Sequence, residues 1–181
     1  AVKLLVARNV LEIRRGKGTY LAPNSGEVPD PLGFAYYPDQ MRLAMDLVEI
    51  RSQLEPWVAR MAAEHATAEN IKILRECCSK VEQDILNKRD HSQNDVQFHV
   101  AIAECTQNLV VPKLIPIITY SITLFVSLTE SRLRTETIVG HRELLEAISD
   151  GDGRRAEKSM IQHIEYNKAL LQEITRREGE K

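Results

Sequence analysis

The sequence has 181 residues, 43% of them hydrophobic but only 5% aromatic, enough for one well-buried core plus an appendage and short for two full-sized domains. Its apolar content is mostly Leu, Ile, Val and Ala, a mix that favours helices packed on helices over a β-sandwich. The net charge of −2 hides an asymmetry: Lys3, Arg8, Arg14, Arg15 and Lys17 against Glu12 alone give residues 1–22 a charge of +4 and leave −6 elsewhere, so only the N-terminal end suits a phosphate-bearing partner. Residues 1–8 read as the end of an amphipathic helix. Val10 to Leu21 alternate as two short strands about the turn Arg15-Gly16-Lys17-Gly18, a basic β-hairpin. Residues 23–38, with four prolines and two glycines, read as a linker.

From Asp39 the pattern turns helical, with Met41, Met45, Val48, Ile50, Leu54, Val58 and Met61 on the expected inner face and Pro56 expected to kink or restart the helix. Thr67 is the expected N-cap of a second helix whose Ile71, Leu74, Cys78, Val81 and Ile85 recur at spacings of three and four. Further helices are expected from Ser92 to Thr106, Leu109 to Ser131, Thr135 to Ser149, and Asp152 to the C-terminus, with Asp150-Gly151-Asp152-Gly153 as the tight turn between the last two. The expectation is an all-α antiparallel bundle of about six helices preceded by a β-hairpin. Leu109 to Leu128 is the one membrane-like stretch, but Pro112, Lys113 and Pro116 interrupt it, and a buried central helix is the better reading. Three cysteines, two of them adjacent (Cys77, Cys78), form no disulfide framework, and no stretch has the order of a signal peptide; a cytoplasmic setting is expected.

Three of the five histidines, His99, His141 and His163, sit where a helical face would otherwise be apolar. Asp95 lies four residues before His99, so one helix face carries both side chains a turn apart. His141 stands ten residues before Gly151 and His163 twelve after it; at ~1.5 Å rise per residue the two imidazoles come level in an antiparallel hairpin, roughly 15 and 18 Å from the turn. Three imidazoles and a carboxylate make a divalent-metal site with coordination positions to spare. On spacing alone, the alternatives are hydrogen-bonded core histidines and a surface Asp/His ion pair. His65 and His91, beside expected helix ends, read as cap or surface residues.

The segment LLVARNVLEIRRGKGTYLAPN closely resembles the wing of GntR-family winged-helix repressors. DLVEIRSQLEP, NDVQFHVAIAECTQN and GHRELLEAISDGDGRRAEKSMIQHI resemble the family's FadR-type effector domain, called FCD. The resemblance implies that residues 1–22 are the remnant of a winged-helix DNA-binding domain and that 39–181 form an FCD-like metal- and effector-binding helical domain. It implies Asp95, His99, His141 and His163 as metal ligands, the metal being Zn2+, with Ni2+ or Mn2+ as alternatives. It further implies that Arg51 points into the same cavity, where a guanidinium and a metal would hold a small carboxylate metabolite; by spacing alone, Arg51 is explained as well by a surface salt bridge to Glu55. Asn167, one turn after His163, is a further candidate for effector contact.

In the family the wing follows a complete helix-turn-helix, which this sequence lacks, so the expectation is a piece of a longer homodimeric regulator. Arg14, Arg15 and Lys17 would touch operator DNA in the intact protein, but the hairpin alone supplies mainly sequence-independent binding. Two other classes stand beside this reading. One is a metalloenzyme acting on a small organic acid at the same site, with Glu104 or Glu165 as a base; the other is a metal-free helical interaction domain.

Overall fold

The computed structural model describes residues 1–23, 30–129 and 134–179; the middle of the expected linker and the expected helix end at Ser131 lie outside the described residues. The chain divides into two compact units, Ala1–Tyr36 and Tyr37–Lys181. In the first, α1 (Val2–Ala7) leads into an antiparallel hairpin of β1 (Leu11–Arg14) and β2 (Gly18–Leu21), with Leu11 opposite Leu21 and Arg14 opposite Gly18. Gly16 and Gly18, at φ +75 and +119, supply the backbone conformations that close the turn. Where no element was expected, Phe34–Tyr36 forms a single 3-10 turn, because the Asp30 carboxylate accepts hydrogen bonds from the Phe34 and Ala35 amides.

The second unit is all helical: α2 (Gln40–His65), α3 (Ala68–Leu86), α4 (Ser92–Cys105), α5 (Val111–Ile118), α6 (Tyr120–Leu128), α7 (Arg134–Ser149) and α8 (Gly153–Gly179). Local chemistry fixes the helix starts. The Asp39 side chain accepts from the Arg42 amide, Thr67 and Asn70 form a reciprocal capping box, and Asp152 accepts from the Arg155 amide. Gly151, at φ +72, turns α7 into α8. The long helices α2 and α8 share the most extensive contact; α7 packs on α8 and α3, α3 on α4, and α5 and α6 on α4 and α2. Leu74, Phe98, Ile102, Ile115, Leu144, Ile148, Met160, Ile164 and Leu171 fill the core between these layers.

Three expectations are corrected. The buried residues of α2 are Leu43, Ala44, Leu47, Val48, Arg51, Glu55, Pro56, Val58, Ala59, Ala62 and Ala63; Ile50 is exposed, and Met41, Met45, Leu54 and Met61 are only half-buried. The buried side carries the four alanines Ala44, Ala59, Ala62 and Ala63, and α2 makes its most extensive contact with α8. Pro56 lies inside α2, which runs through it without a restart; the buried residues before and after it outweigh the single backbone bond that a proline removes. The expected fourth helix is two, α5 and α6, divided at Thr119. Pro116 has no amide hydrogen to give, and past Thr119, whose own amide still donates to the Ile115 carbonyl at 3.0 Å, the Ile122 amide donates to the Thr119 carbonyl only three residues back, so the regular helical ladder is interrupted there. Val111–Leu128 is apolar enough to cross a membrane by length and composition, yet these two helices pack on α2 and α4 as a layer of the bundle.

Candidate metal centre

Four elements converge on one buried point. On α4 the inward stripe Ser92, Asp95, Phe98, His99, Ile102 and Cys105 runs at helical spacing, so Asp95 and His99 occupy positions that elsewhere on the helix are apolar. The α7–α8 hairpin brings His141 and His163 level, with ring centroids 4.9 Å apart. His99 completes the group at 5.7 Å from His141 and 5.4 Å from His163. The three rings offer nitrogen atoms lying within 4.8 Å of one another. Asp95 Oδ1 stands 3.5 Å from His99 Nε2 and 3.4 Å from His141 Nε2.

Packing holds the rings in place. Phe98 stacks on His141 with centroids 4.1 Å apart and meets His99 edge-on at 5.9 Å. Gly140 removes the obstacle on the other side, since a β-carbon there would stand 3.2 Å from His163 Nδ1. A groove of about 140 Å³, open to solvent, runs between α7 and α8, with His163, Gly140, Ser159, Gln162 and Tyr166 among its walls.

Asp95, His99, His141 and His163 are all buried. Burial pushes the Asp95 carboxyl up, although His99, His91 and Arg51 pull it down. Burial also drives His141 well below its ordinary value, helped by His163 and His99, and holds His163 down to about 3. Neutral imidazoles present lone pairs, and a carboxylate without water beside it is costly. Asp95 Oδ1 and both ring nitrogens of His141 have no hydrogen-bond partner. Native interiors rarely leave such atoms unsatisfied. A divalent cation fits this donor set, three imidazoles and one carboxylate, both in charge and in ligand type.

Arg51 and Glu55 form the wall of the site on α2. Arg51 is fully buried at 0% exposure, so the surface salt bridge that its spacing allowed is a buried one. Its Nε donates to Glu55 Oε1 at 2.5 Å and one terminal nitrogen reaches Glu55 Oε2 at 3.4 Å. The other terminal nitrogen donates to Ser121 Oγ of α6 at 3.3 Å, and the guanidinium comes within 3.5 Å of His99 Nε2. Burial alone would raise the Glu55 carboxyl, but the charges of Arg51 and His99 and hydrogen bonds from both hold it well below the usual carboxylate range. By spacing along the sequence, Glu55 is no more than a partner for Arg51. The signal was present: Ala44, Val48, Arg51, Glu55, Val58 and Ala62 run at spacings 4, 3, 4, 3, 4.

The remaining candidates divide. Asn167 is buried on α8, one turn beyond His163. His65 is exposed, with its Nδ1 2.9 Å from the Met61 carbonyl oxygen near the end of α2. His91 is not a surface residue: it is buried at the N-cap position of α4, makes no side-chain cap bond, and leaves Nδ1 unpartnered. Glu104 and Glu165 are exposed. Arg14, Arg15 and Lys17 are exposed on the hairpin, and Arg14 Nε donates to Glu12 at 2.8 Å while its guanidinium lies 5.0 Å from the Tyr20 ring centre.

Residues 46–166, two-thirds of the chain and every residue of this centre, match the family described as the FCD domain. The chain is an FCD-domain member of the GntR regulators. The FCD chain is 30% identical to the Uxu operon transcriptional regulator of Escherichia coli over 97% of its own length and 71% of that protein. It is 26% identical to the galactonate operon transcriptional repressor of the same organism, over 94% and 78%. Among solved structures, Streptococcus agalactiae GntR superposes with a TM-score of 0.82 at 32% identity, over 93% of the FCD chain and 78% of that one. E. coli McbR/YncC shares the fold, with a TM-score of 0.61 at 20% identity. The family and these operon regulators make the FCD chain a transcription regulator of the FadR type and not an enzyme.

Proposed function

We propose that this FCD domain is a metal-assisted sensor of a small carboxylate, with Asp95, His99, His141 and His163 as ligands of a divalent cation. The observation that carries this reading is the pair of buried, unpartnered atoms, Asp95 Oδ1 and His141 Nε2, among the three imidazoles. Zn2+ suits the imidazole-rich set best, with Ni2+ or Mn2+ as the alternatives. When bound, the cation supplies a Lewis-acid contact for one carboxylate oxygen.

The chain's own residues do the rest. The terminal nitrogens of Arg51, near His99 Nε2 and Ser121, orient the effector's anionic end while Glu55 anchors the guanidinium from behind. Asn167 extends the contact surface along α8. The operon named for one relative, galactonate, supports a hydroxycarboxylate, whose hydroxyl and carboxylate chelate a metal together. Because α2, α4, α7 and α8 each contribute to the centre, an effector that binds one packing of these helices better than another shifts the balance between them.

In the intact regulator that shift passes to operator DNA through a winged helix whose wing is residues 1–22, with Arg14, Arg15 and Lys17 facing phosphate or the groove, and residues 23–38 as the linker. The regulator acts in the cytoplasm as a homodimer. The exposed Ile50 and Trp57, two helical turns apart on α2, support an apolar contact between copies.

The test is elemental mass spectrometry on protein purified without a histidine tag, wild type beside His141→Ala and His163→Ala. Near-stoichiometric metal in the wild type and loss in both variants supports the centre and justifies screening hydroxycarboxylates by thermal shift. No metal after reconstitution with Zn2+, Ni2+ or Mn2+ overturns it.

A further inference from the structure

We propose that Glu55 is the positioning residue of the centre: its carboxylate, held by Arg51 on one oxygen, fixes His99 with the proton on Nδ1 so that Nε2 faces Asp95, His141 and His163. The inference rests on the metal reading above and adds to it a residue from a helix that supplies no ligand. His99 Nδ1 lies 2.5 Å from Glu55 Oε2, and both residues are buried. An ionised carboxylate only accepts hydrogen bonds, and the paired Arg51 guanidinium keeps it a carboxylate. The proton of a neutral His99 ring must therefore sit on Nδ1, which leaves the Nε2 lone pair toward Asp95 Oδ1 at 3.5 Å.

The arrangement differs at His141, whose two nitrogens have no partner and whose orientation comes from stacking on Phe98. His99 alone among the three imidazoles has a described carboxylate behind it. A carboxylate behind a metal-facing imidazole fixes its tautomer and raises its basicity. Glu55 thus joins two functions, since the same carboxylate orients a ligand and restrains the guanidinium proposed for the effector. Removing it should cost metal affinity without touching a ligand.

Two measurements test this, and the first needs no metal. Long-range proton–nitrogen NMR of the metal-free protein at neutral pH is expected to show His99 protonated on Nδ1. A proton on Nε2 overturns the proposal whether or not the protein binds metal. The second is Zn2+ affinity by competition with a chromogenic chelator, comparing wild type, Glu55→Gln, and the double variant Arg51→Met with Glu55→Leu.

The double variant removes both charges of the Arg51–Glu55 pair together, so it avoids the folding penalty of removing Glu55 alone. Its Zn2+ affinity is expected to fall about 10–100-fold, with Glu55→Gln, which keeps an acceptor, falling less. Removing Arg51 by itself takes a positive charge away from the site and should strengthen cation binding, so a loss in the double variant points to the missing carboxylate. Binding within threefold of wild type in a folded double variant overturns the proposal. If wild type binds no Zn2+, the metal reading fails, while the NMR result still decides what Glu55 does to His99.

Discussion

Asp95 Oδ1 and His141 Nε2 face each other across 3.4 Å between α4 and α7, and neither has a hydrogen-bond partner. With the proton of the neutral His141 ring on Nδ1, both facing atoms are acceptors, and the contact is unfavourable until a cation lies between them. The conflict between stability and binding is testable at Asp95. Asp95→Asn removes the buried charge and adds donors, so the metal-free variant is expected to melt above wild type. The same change should abolish the rise in melting temperature on adding Zn2+, worth about 4 kcal/mol when the metal is at a thousandfold its Kd. A variant that melts lower without metal yet keeps its Zn2+ response would contradict the assignment.

Gly140 gives a second separation of fold from site. In the middle of α7, alanine is favoured over glycine by about 1 kcal/mol, but a β-carbon at 140 would press on His163 Nδ1 at 3.2 Å. Gly140→Ala is expected to leave metal-free stability unchanged or slightly raised and to weaken Zn2+ binding by about tenfold, an effect of the size seen when a ligand's orientation is disturbed. Urea unfolding with chelator and a metal titration together check it; unchanged Zn2+ affinity means that His163 yields freely or does not bind.

The pH dependence follows from the buried histidines. Burial holds His163 down to about 3, and burial with the neighbouring histidines holds His141 well below its ordinary 6.5. In the unfolded chain both take up protons near 6.5, so below that pH the unfolded state binds more protons and gains on the folded one. Their stabilisation is complete above about 6.5 and is lost as the pH falls toward 3, at up to about 1.4 kcal/mol per pH unit for each histidine. Asp95, pushed up by burial, works the other way and reduces the total. The metal-free protein should therefore melt lower at pH 5.5 than at 7.5, with a shallower slope in His163→Gln. A flat profile would place these rings in contact with water.

Thr67 serves as a control remote from the ligands. Its side chain accepts from the Asn70 amide at the start of α3, a helix that supplies no residue to the centre. Thr67→Ala is expected to cost about 1 kcal/mol, roughly 2–4 °C in melting temperature for a chain of this size, with Zn2+ affinity unchanged. A matching fall in affinity would tie metal binding to global stability, not to local geometry.

Much of this was legible before any coordinates. Helix starts at Asp39, Thr67 and Asp152 follow from side chains that satisfy the amides of their own next turn, and the turn at Gly151 from a backbone angle that glycine adopts freely. The α4 pairing of Asp95 with His99 and the level placement of His141 and His163 need only the rise and period of a helix. These are local rules, and the sequence by itself determined them.

What the tertiary structure decided is which of two neighbouring stripes on α2 turns inward and what it meets there. Periodicity allows either the Ile50–Leu54–Met61 side or the Arg51–Glu55 side. The side that turns inward holds the small residues Ala44, Ala59, Ala62 and Ala63 as well as Leu43, Leu47, Val48 and Val58, and it carries two charged side chains into the core. Glu55 meets His99 across 44 positions of sequence, and no local rule encodes that distance. Their contact exists because close packing of four helices gives the carboxylate two partners among the described residues, a guanidinium and an imidazole, and an ionised group in that interior must be satisfied by what surrounds it.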